Sequence, residues 1–193
     1  LNCQLAAALK VDGCIVECGV WKGGMIAGIS EILGNTREYF LFDSFEGLPG
    51  ATQADGLSAK VWMEENDIGQ CKTAQIYAED AMRLAGAKNT KVIKGWFCNT
   101  LHKESFPNGI ALLRLDADWY SPTAECLNVL YEKVIPGGMI ILDDYYAWDG
   151  CAKAVHKFLA DNMLSARIHS YRDQVCYLKI ERQEKVKSIN TKL

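Results

Sequence analysis

The sequence lacks the features of three classes of protein. No apolar run reaches the roughly 18 residues that a membrane-spanning helix requires. The net charge is −3, and the only lysine-rich stretch is the C-terminal KVKSINTKL, so the clustered cations that bind phosphate are missing. The first nine residues, LNCQLAAAL, have no basic start of the kind found in signal peptides. We therefore expect a cytoplasmic protein that binds neither membranes nor nucleic acid.

Paired cysteines are also missing. The eight cysteines are scattered singly, with no C-x-x-C pair, which argues against a zinc site. Several lie inside apolar runs, where cysteine acts as a small hydrophobic residue. A chain of 193 residues can form a core without disulfides, so we expect free thiols and a reducing compartment.

The length and composition indicate one globular α/β domain. The hydrophobic fraction is 49% and the charged fraction is 23%. We place the domain at residues 1–182 and a polar tail at 183–193. The first residue is not methionine, so we expect a part of a longer chain, and a homo-oligomer is the alternative.

Apolar runs alternate with segments of helical period along the chain. The predicted strands cover 13–19, 38–43, 91–95, 110–116, 139–143, 166–171 and 175–181. The predicted helices cover 2–10, 23–33, 74–86, 99–105, 122–134 and 150–162, and Gly137-Gly138 is predicted to end the fifth of them. This order predicts a mostly parallel sheet with helices on both faces, closed by an antiparallel hairpin. Residues 44–73 show no clear period, so we expect a mobile loop that can cover a ligand.

The first two strands end in residues suited to binding a nucleoside. The glycines of VECGVWKGG let the backbone pass close to a ligand, and Glu17 needs a cationic or donor partner because it lies in an apolar strand. Asp43 follows the next strand, about 20 residues beyond the glycine turn, where an acid accepts from ribose hydroxyls. Turn formation alone also explains the glycines, and helix capping or turn formation also explains Asp43. The spacing G-x-x-x-G-G is not that of the dinucleotide fingerprint.

Four carboxylates follow two later strands that we expect to be neighbours. Asp116 and Asp118 follow one strand, and Asp143 and Asp144 follow the next. Crowded carboxylates repel one another and raise their own pKa values, and a hard divalent cation with oxygen ligands relieves that repulsion. A surface turn at Asp116 and Asp118, and a helix cap at Asp143 and Asp144, remain alternatives.

Aromatic residues lie beside these carboxylates in the sequence. Such a group forms either ordinary packing or a wall for a sugar or aromatic ring. Its members are Trp119, Tyr120, Tyr145, Tyr146 and Trp148.

Five segments together resemble the macrocin O-methyltransferase family, whose members methylate sugar hydroxyls on antibiotics. The segments are VECGVWKGG, LFDSFEGLP, VIKGWFCNTL, LRLDADWYSPT and PGGMIILDDY, and the resemblance runs from about residue 12 to 160. It implies a Rossmann-like class I methyltransferase fold with a seven-stranded sheet. It also implies S-adenosylmethionine as methyl donor, Mg²⁺ as cofactor and a small-molecule hydroxyl acceptor, which we expect to be a sugar diol of a natural product.

The resemblance also implies roles for individual residues. Asp116, Asp143 and Asp144 would be the metal ligands. Asp118 and Asp116 would be the catalytic residues, with Asp118 as the general base. The donor would be held by Glu17, Cys18, Gly19, Val20, Gly23, Gly24, Asp43, Ser44, Gly95, Trp96 and Asp116. Two departures from the family pattern are Met25, where a small or hydroxylated residue is expected, and the lack of an N-terminal segment that helps to cover the substrate.

Three other functions fit parts of this pattern. A catechol-type O-methyltransferase shares the fold and the metal site, and the aromatic residues are compatible with a planar phenol. A non-catalytic methyltransferase-like domain of a larger protein fits the missing segment, but it has no need for clustered carboxylates. A nicotinamide oxidoreductase fits the fold class but not the glycine spacing.

Overall fold

The computed structural model describes residues 1–66 and 71–181. The predicted polar tail at 183–193, and the domain boundary at residue 182, lie outside the described residues. Within the described part, no helix is both long enough and apolar enough to cross a membrane.

The described strands form one seven-stranded sheet in the order β3-β2-β1-β4-β5-β7-β6. The strands are β1 Cys14–Cys18, β2 Glu38–Asp43, β3 Asn89–Lys94, β4 Ile110–Leu115, β5 Val134–Leu142, β6 Ile168–Tyr171 and β7 Val175–Lys179. The pairs among β1 to β5 are parallel, whereas β7 is antiparallel to both β5 and β6. The predicted parallel sheet and C-terminal hairpin are therefore confirmed.

Helices pack on both faces of the sheet. They are α1 Asn2–Ala7, α2 Gly24–Leu33, α3 Gly56–Glu65, α4 Gln75–Leu84, α5 Phe97–Thr100, α6 Tyr120–Leu130 and α7 Asp149–Asp161. The strands alternate between two cores: Val16 and Cys18 face the core that contains α6 and α7, and Ile15 faces the core that contains α1, α2 and α4. Both faces of the sheet are therefore buried, as the near-continuous apolar strands predict.

The prediction that Gly137-Gly138 ends a helix is wrong. Helix α6 ends at Leu130, a 3-10 turn follows at Tyr131–Lys133, and both glycines lie inside β5. Gly137 has a φ of 85°, and a Cβ on Gly138 would lie 2.9 Å from the carbonyl oxygen of Ala111. Gly138 lets β5 approach β4 closely where the register between the two strands shifts, whereas a Cβ on Gly137 would lie 2.7 Å from the side chain of Val11.

The segment predicted to be an aperiodic loop contains a 3-10 turn at Gln53–Asp55 and helix α3. Helix α3 buries only Ala59, so its sequence carries little apolar period. Asp55 fixes the segment to the rest of the protein: its Oδ1 accepts from the backbone N–H of Tyr120 at 2.6 Å, and its Oδ2 accepts from that of Thr52 at 2.7 Å. The 3-10 turn that precedes α3 is therefore docked on the N-terminus of α6.

Candidate active site

The carboxyl ends of the central strands meet at one rim of the sheet. The N–H of Gly19 donates to the carbonyl of Phe42, that of Asp116 to Cys18 and that of Asp143 to Leu115, each at 2.9 Å. These bonds continue the pairing of β2, β1, β4 and β5 by one residue past each strand. Most of the predicted site residues lie on or just behind this rim.

Two glycines of the turn after β1 are required by the protein's own backbone. Gly19 has a φ of 87°, and a Cβ there would overlap the carbonyl oxygen of Asp116. Gly23 has a φ of 79°, and a Cβ there would lie 2.8 Å from the Cα of Ala78. The turn therefore lies directly against β4 and α4, which holds its backbone next to the rim.

Asp43 connects the end of β2 to this turn. Its Oδ2 accepts from the N–H groups of Val20 and Trp21, both at 2.7 Å, and its Oδ1 accepts from the N–H of Phe45 at 2.6 Å. A carboxylate has about four lone-pair sites, so three backbone bonds leave room for a further donor. Asp43 thus has a structural role in addition to the ligand-binding role predicted for it.

A cavity of about 520 Å³ opens at this rim, a size typical of small-molecule sites. Its lining includes five of the residues predicted to hold the donor: Gly19, Asp43, Ser44, Trp96 and Asp116. Several other lining residues were not predicted as site residues, among them Pro49, Cys71, Phe97, Ser121 and Glu125. The lining does not include the other predicted donor residues, which are Glu17, Cys18, Val20, Gly23, Gly24 and Gly95.

Three carboxylates at this rim lie close enough to share a cation. Asp116, Asp118 and Asp144 each offer one oxygen, and these oxygens lie within 4.8 Å of one another. The backbone N–H of Asp118 donates to Oδ2 of Asp144 at 2.9 Å. Asp118 has a φ of 56°, a left-handed conformation that aspartate tolerates better than most residues. The tight turn after β4 therefore brings Asp118 to Asp144, two residues past the end of β5.

The electrostatics of this acidic cluster (Asp116, Asp118 and Asp144) favour binding of a positive charge. Burial, together with the charge of Asp116, raises the pKa of Asp118 to about 7. Burial, together with the charge of Asp118, raises the pKa of Asp144 to about 8. Burial also raises the pKa of Asp116, although Arg114 acts in the opposite direction. Near neutral pH the cluster therefore holds protons unless a cation replaces them.

Asp143 has other partners. Its Oδ2 lies 2.8 Å from Nη2 of Arg114, and its Oδ1 accepts from the side-chain amide of Asn2 at 2.8 Å. Of the three predicted metal ligands, Asp116 and Asp144 thus belong to the group that can share a cation, whereas Asp143 is outside that group. Asp118, predicted as the base, lies within it.

Glu17 is buried behind the rim, with a relative exposure of 1%. Its Oε1 accepts from Nη1 of Arg114 at 2.6 Å. Burial alone would lower the pKa of Arg114, but Glu17, Asp116 and Asp143 raise it above its ordinary value. The cationic partner that Glu17 requires is therefore Arg114. It was not predicted as a site residue, although it is a charged residue within the apolar strand IALLRL.

Four of the five predicted aromatic residues, all except Tyr120, divide into two groups. Trp119 and Trp148 pack edge to face with ring centroids 5.0 Å apart, and Trp62 of α3 packs against both at 6.2 and 6.1 Å. The indole N–H of Trp148 donates to Oδ1 of Asp118 at 3.1 Å. Tyr145 and Tyr146 contact each other instead, and Tyr146 is 53% exposed. The three tryptophans thus connect α3 directly to a carboxylate of the acidic cluster.

Comparisons with known proteins identify the family. The family model described as Macrocin-O-methyltransferase (TylF) matches residues 3–179. The chain is 35% identical over 156 residues to 8-demethyl-8-(2,3-dimethoxy-alpha-L-rhamnosyl)-tetracenomycin-C 4'-O-methyltransferase of Streptomyces olivaceus, covering 77% of this chain and 58% of that protein. It is 31% identical over 156 residues to mycinamicin III 3''-O-methyltransferase of Micromonospora griseorubida, covering 77% of this chain and 61% of that protein.

A solved structure agrees with these sequence matches. The structure of the O-methyltransferase NovP superposes with a TM-score of 0.79 and 26% identity, covering 94% of this chain and 78% of that chain. The chain spans only about three fifths of the length of the two curated relatives above. Since the family model covers most of the chain and both relatives exceed 30% identity, this chain belongs to the macrocin O-methyltransferase family.

Proposed function

We propose that the chain forms the core of an S-adenosylmethionine-dependent O-methyltransferase that acts on a sugar hydroxyl of a natural product. One observation carries the proposal: the glycine turn, Asp43 and the carboxylates after β4 line the same cavity. A donor site and a proton-accepting group therefore face a common space. The two relatives named above, a rhamnosyl-tetracenomycin and a mycinamicin methyltransferase, support the choice of acceptor class.

The donor fits the side of the cavity formed by the ends of β1 and β2. The remaining lone pair of Asp43 is suited to accept from a ribose hydroxyl. Trp96 is 37% exposed and lies next to Phe97, so this end of the cavity offers an apolar surface for adenine. Glu17 is buried behind the rim against Arg114 and does not line the cavity, so we assign it no contact with the donor.

The acidic cluster fits a divalent cation, because its oxygen donors lie within 4.8 Å of one another and burial raises their pKa values. We propose Mg²⁺, with Asp116 and Asp144 as ligands and with Asp143 as the third, since its two present partners leave lone pairs available. When bound, the ion would lower the pKa of the acceptor hydroxyl and orient it.

The proposed reaction is an in-line displacement at the donor's methyl group. The acceptor oxygen forms a bond to the methyl carbon as the carbon–sulfur bond breaks, and the sulfur keeps the electron pair as a neutral thioether. The hydroxyl proton moves to Asp118, which the indole of Trp148 and the side chain of Asp144 hold in place. The products are the methyl ether and S-adenosylhomocysteine.

The test is a methyl-transfer assay with labelled S-adenosylmethionine against a panel of sugar diols and catechols, with Mg²⁺ or with excess chelator. We expect transfer to sugar diols that depends on Mg²⁺. Transfer to catechols alone would favour a phenol O-methyltransferase. Donor binding without transfer to any acceptor would favour a non-catalytic domain, and full activity in chelator would refute the metal.

A further inference from the structure

We propose that Arg114 is a positioning residue, held by Glu17, that fixes the carboxylates of Asp116 and Asp143 in the orientation needed to bind a divalent cation. This inference rests on the metal site in the proposed function. It concerns two residues that neither line the cavity nor belong to the acidic cluster.

The guanidinium group of Arg114 bridges three carboxylates from three neighbouring strands. Nη1 lies 2.6 Å from Oε1 of Glu17 and 3.0 Å from Oδ2 of Asp116, and Nη2 lies 2.8 Å from Oδ2 of Asp143. Glu17 in β1 is directly paired with Arg114 in β4, whereas Asp143 follows the end of β5. One side chain thus sets the relative positions of the residues that follow β4 and β5.

Burial makes this arrangement rigid. Arg114 is 3% exposed and Glu17 is 1% exposed, so neither has room to change rotamer freely. Asp116 and Asp143 are more accessible, with side-chain exposures of 36% and 30%. Glu17 and Arg114 are therefore fixed inside the sheet, whereas Asp116 and Asp143 are accessible at the rim. This is the arrangement expected of a supporting group and the metal ligands that it orients.

Stability alone is a weak explanation for this network. A buried ion pair is often no more stabilising than apolar residues of the same volume. Within the described structure, Oε2 of Glu17 and Nε of Arg114 are buried without a hydrogen-bond partner, which adds a further cost. The arrangement is better explained by the carboxylates that it orients.

Arginine suits this role and lysine does not. The planar guanidinium offers donors in a fixed fork, so one group can bind three carboxylates in defined directions, whereas an ammonium group is a compact point charge. Arg114→Lys therefore keeps the positive charge and removes the fork. A neutral substitution at position 114 would also remove a positive charge that repels the bound cation. That change would strengthen metal binding and obscure the effect of losing the positioning of the carboxylates.

The experiment measures binding of Mn²⁺ and of S-adenosylmethionine separately, by Mn²⁺ electron paramagnetic resonance and by calorimetry, together with thermal unfolding in chelator. The variants are Arg114→Lys and the isosteric Glu17→Gln. The matched control is Arg37→Lys, because Arg37 binds the backbone carbonyls of Val11 and Gly13 away from the rim.

We expect Arg114→Lys to weaken Mn²⁺ binding by about tenfold or more, a size typical for loss of a group that orients metal ligands. Glu17→Gln should weaken it in the same direction, while donor affinity stays near that of the wild type and Arg37→Lys changes neither. A purely structural role would lower the unfolding temperature and both affinities together.

Three results would overturn the inference: unchanged Mn²⁺ affinity in Arg114→Lys, tighter Mn²⁺ binding, or equal loss of both ligands. If Arg114→Lys does not fold, the same criteria apply to Glu17→Gln. A wild-type protein that binds donor but no Mn²⁺ would instead refute the metal site of the proposed function. Metal binding that is equal in wild type and variants would refute only the role of Arg114.

Discussion

Replacement of Asp43 tests the donor site most directly. Asp43→Ala removes a carboxylate that accepts three backbone N–H groups, from Val20, Trp21 and Phe45, at 2.6 to 2.7 Å. A hydrogen bond to a charged group contributes about 1.5–3 kcal/mol. Trp21 is 49% exposed, so water can replace part of this loss at the turn. We expect the free energy of unfolding to fall by about 2 kcal/mol in total rather than by three full bonds.

The same substitution should weaken donor binding. Loss of a charged acceptor for a ribose hydroxyl corresponds to about tenfold or more in affinity. Calorimetry with S-adenosylmethionine measures this effect, and thermal unfolding measures the effect on stability. Asp43→Asn keeps one acceptor oxygen and should show a smaller loss of both. Asp161→Asn is the control, because Asp161 lies on the exposed end of α7 and binds only Lys157 among its described contacts.

The two measurements separate the two roles of Asp43. Lower stability with unchanged donor affinity would mean that Asp43 only anchors the glycine turn. Lower donor affinity with unchanged stability would mean that the backbone bonds contribute little. If neither quantity changes, the reasoning from charge and geometry at this strand end is refuted.

Three further predictions concern the carboxylates at the rim and helix α3 beside them. Asp143→Asn should weaken the binding of Mg²⁺ and of the acceptor together. Asp118→Asn should lower turnover by about 10²–10⁴-fold with metal affinity unchanged. Loss of metal binding in Asp118→Asn would identify Asp118 as a ligand. Trp62→Ala should weaken acceptor binding more than donor binding in parallel calorimetric titrations, because Trp62 packs on Trp148 beside the acidic cluster. Equal losses of affinity for donor and acceptor would count against a role of Trp62 in covering the acceptor. In chelator, thermal stability should fall as pH rises from about 4 towards 8. In the folded protein the pKa values of Asp118 and Asp144 are raised to about 7 and about 8, so across this range the folded state binds more protons than the unfolded state. A stability that does not change with pH would contradict this.

The parallel sheet follows from the sequence because each central strand is an apolar run buried on both faces. The hairpin is also predictable, since Arg172-Asp173-Gln174 separates two short strands and forms the observed turn. Helix α3 is not predictable in the same way. Its packing depends on Trp62 and on the anchor at Asp55, which are single contacts with distant residues rather than a repeating apolar face.

The sequence predicts which strand end each site residue follows more readily than it predicts which residue each side chain binds. Asp143 and Asp144 are consecutive and follow the same strand, yet Asp143 binds Arg114 while Asp144 binds the backbone of Asp118. Nothing in the segment ILDDYY distinguishes the two aspartates, because the partner of each depends on the direction in which its side chain points from the turn.

The pairing of Glu17 with Arg114 is different, because a sequence signal for it exists. Each is a charged residue in an otherwise apolar strand, and the two strands are neighbours in the sheet. A buried carboxylate requires a donor or cationic partner, and Arg114 is the charged residue that β4 places in register with it. Once that pair forms, Nη2 of Arg114 is directed at the end of β5, where it binds Asp143. The ligand set of the proposed metal therefore depends on whether Asp143 can bind a cation while it remains paired with Arg114, and the comparison of Asp143→Asn with Asp118→Asn decides which carboxylate completes the site.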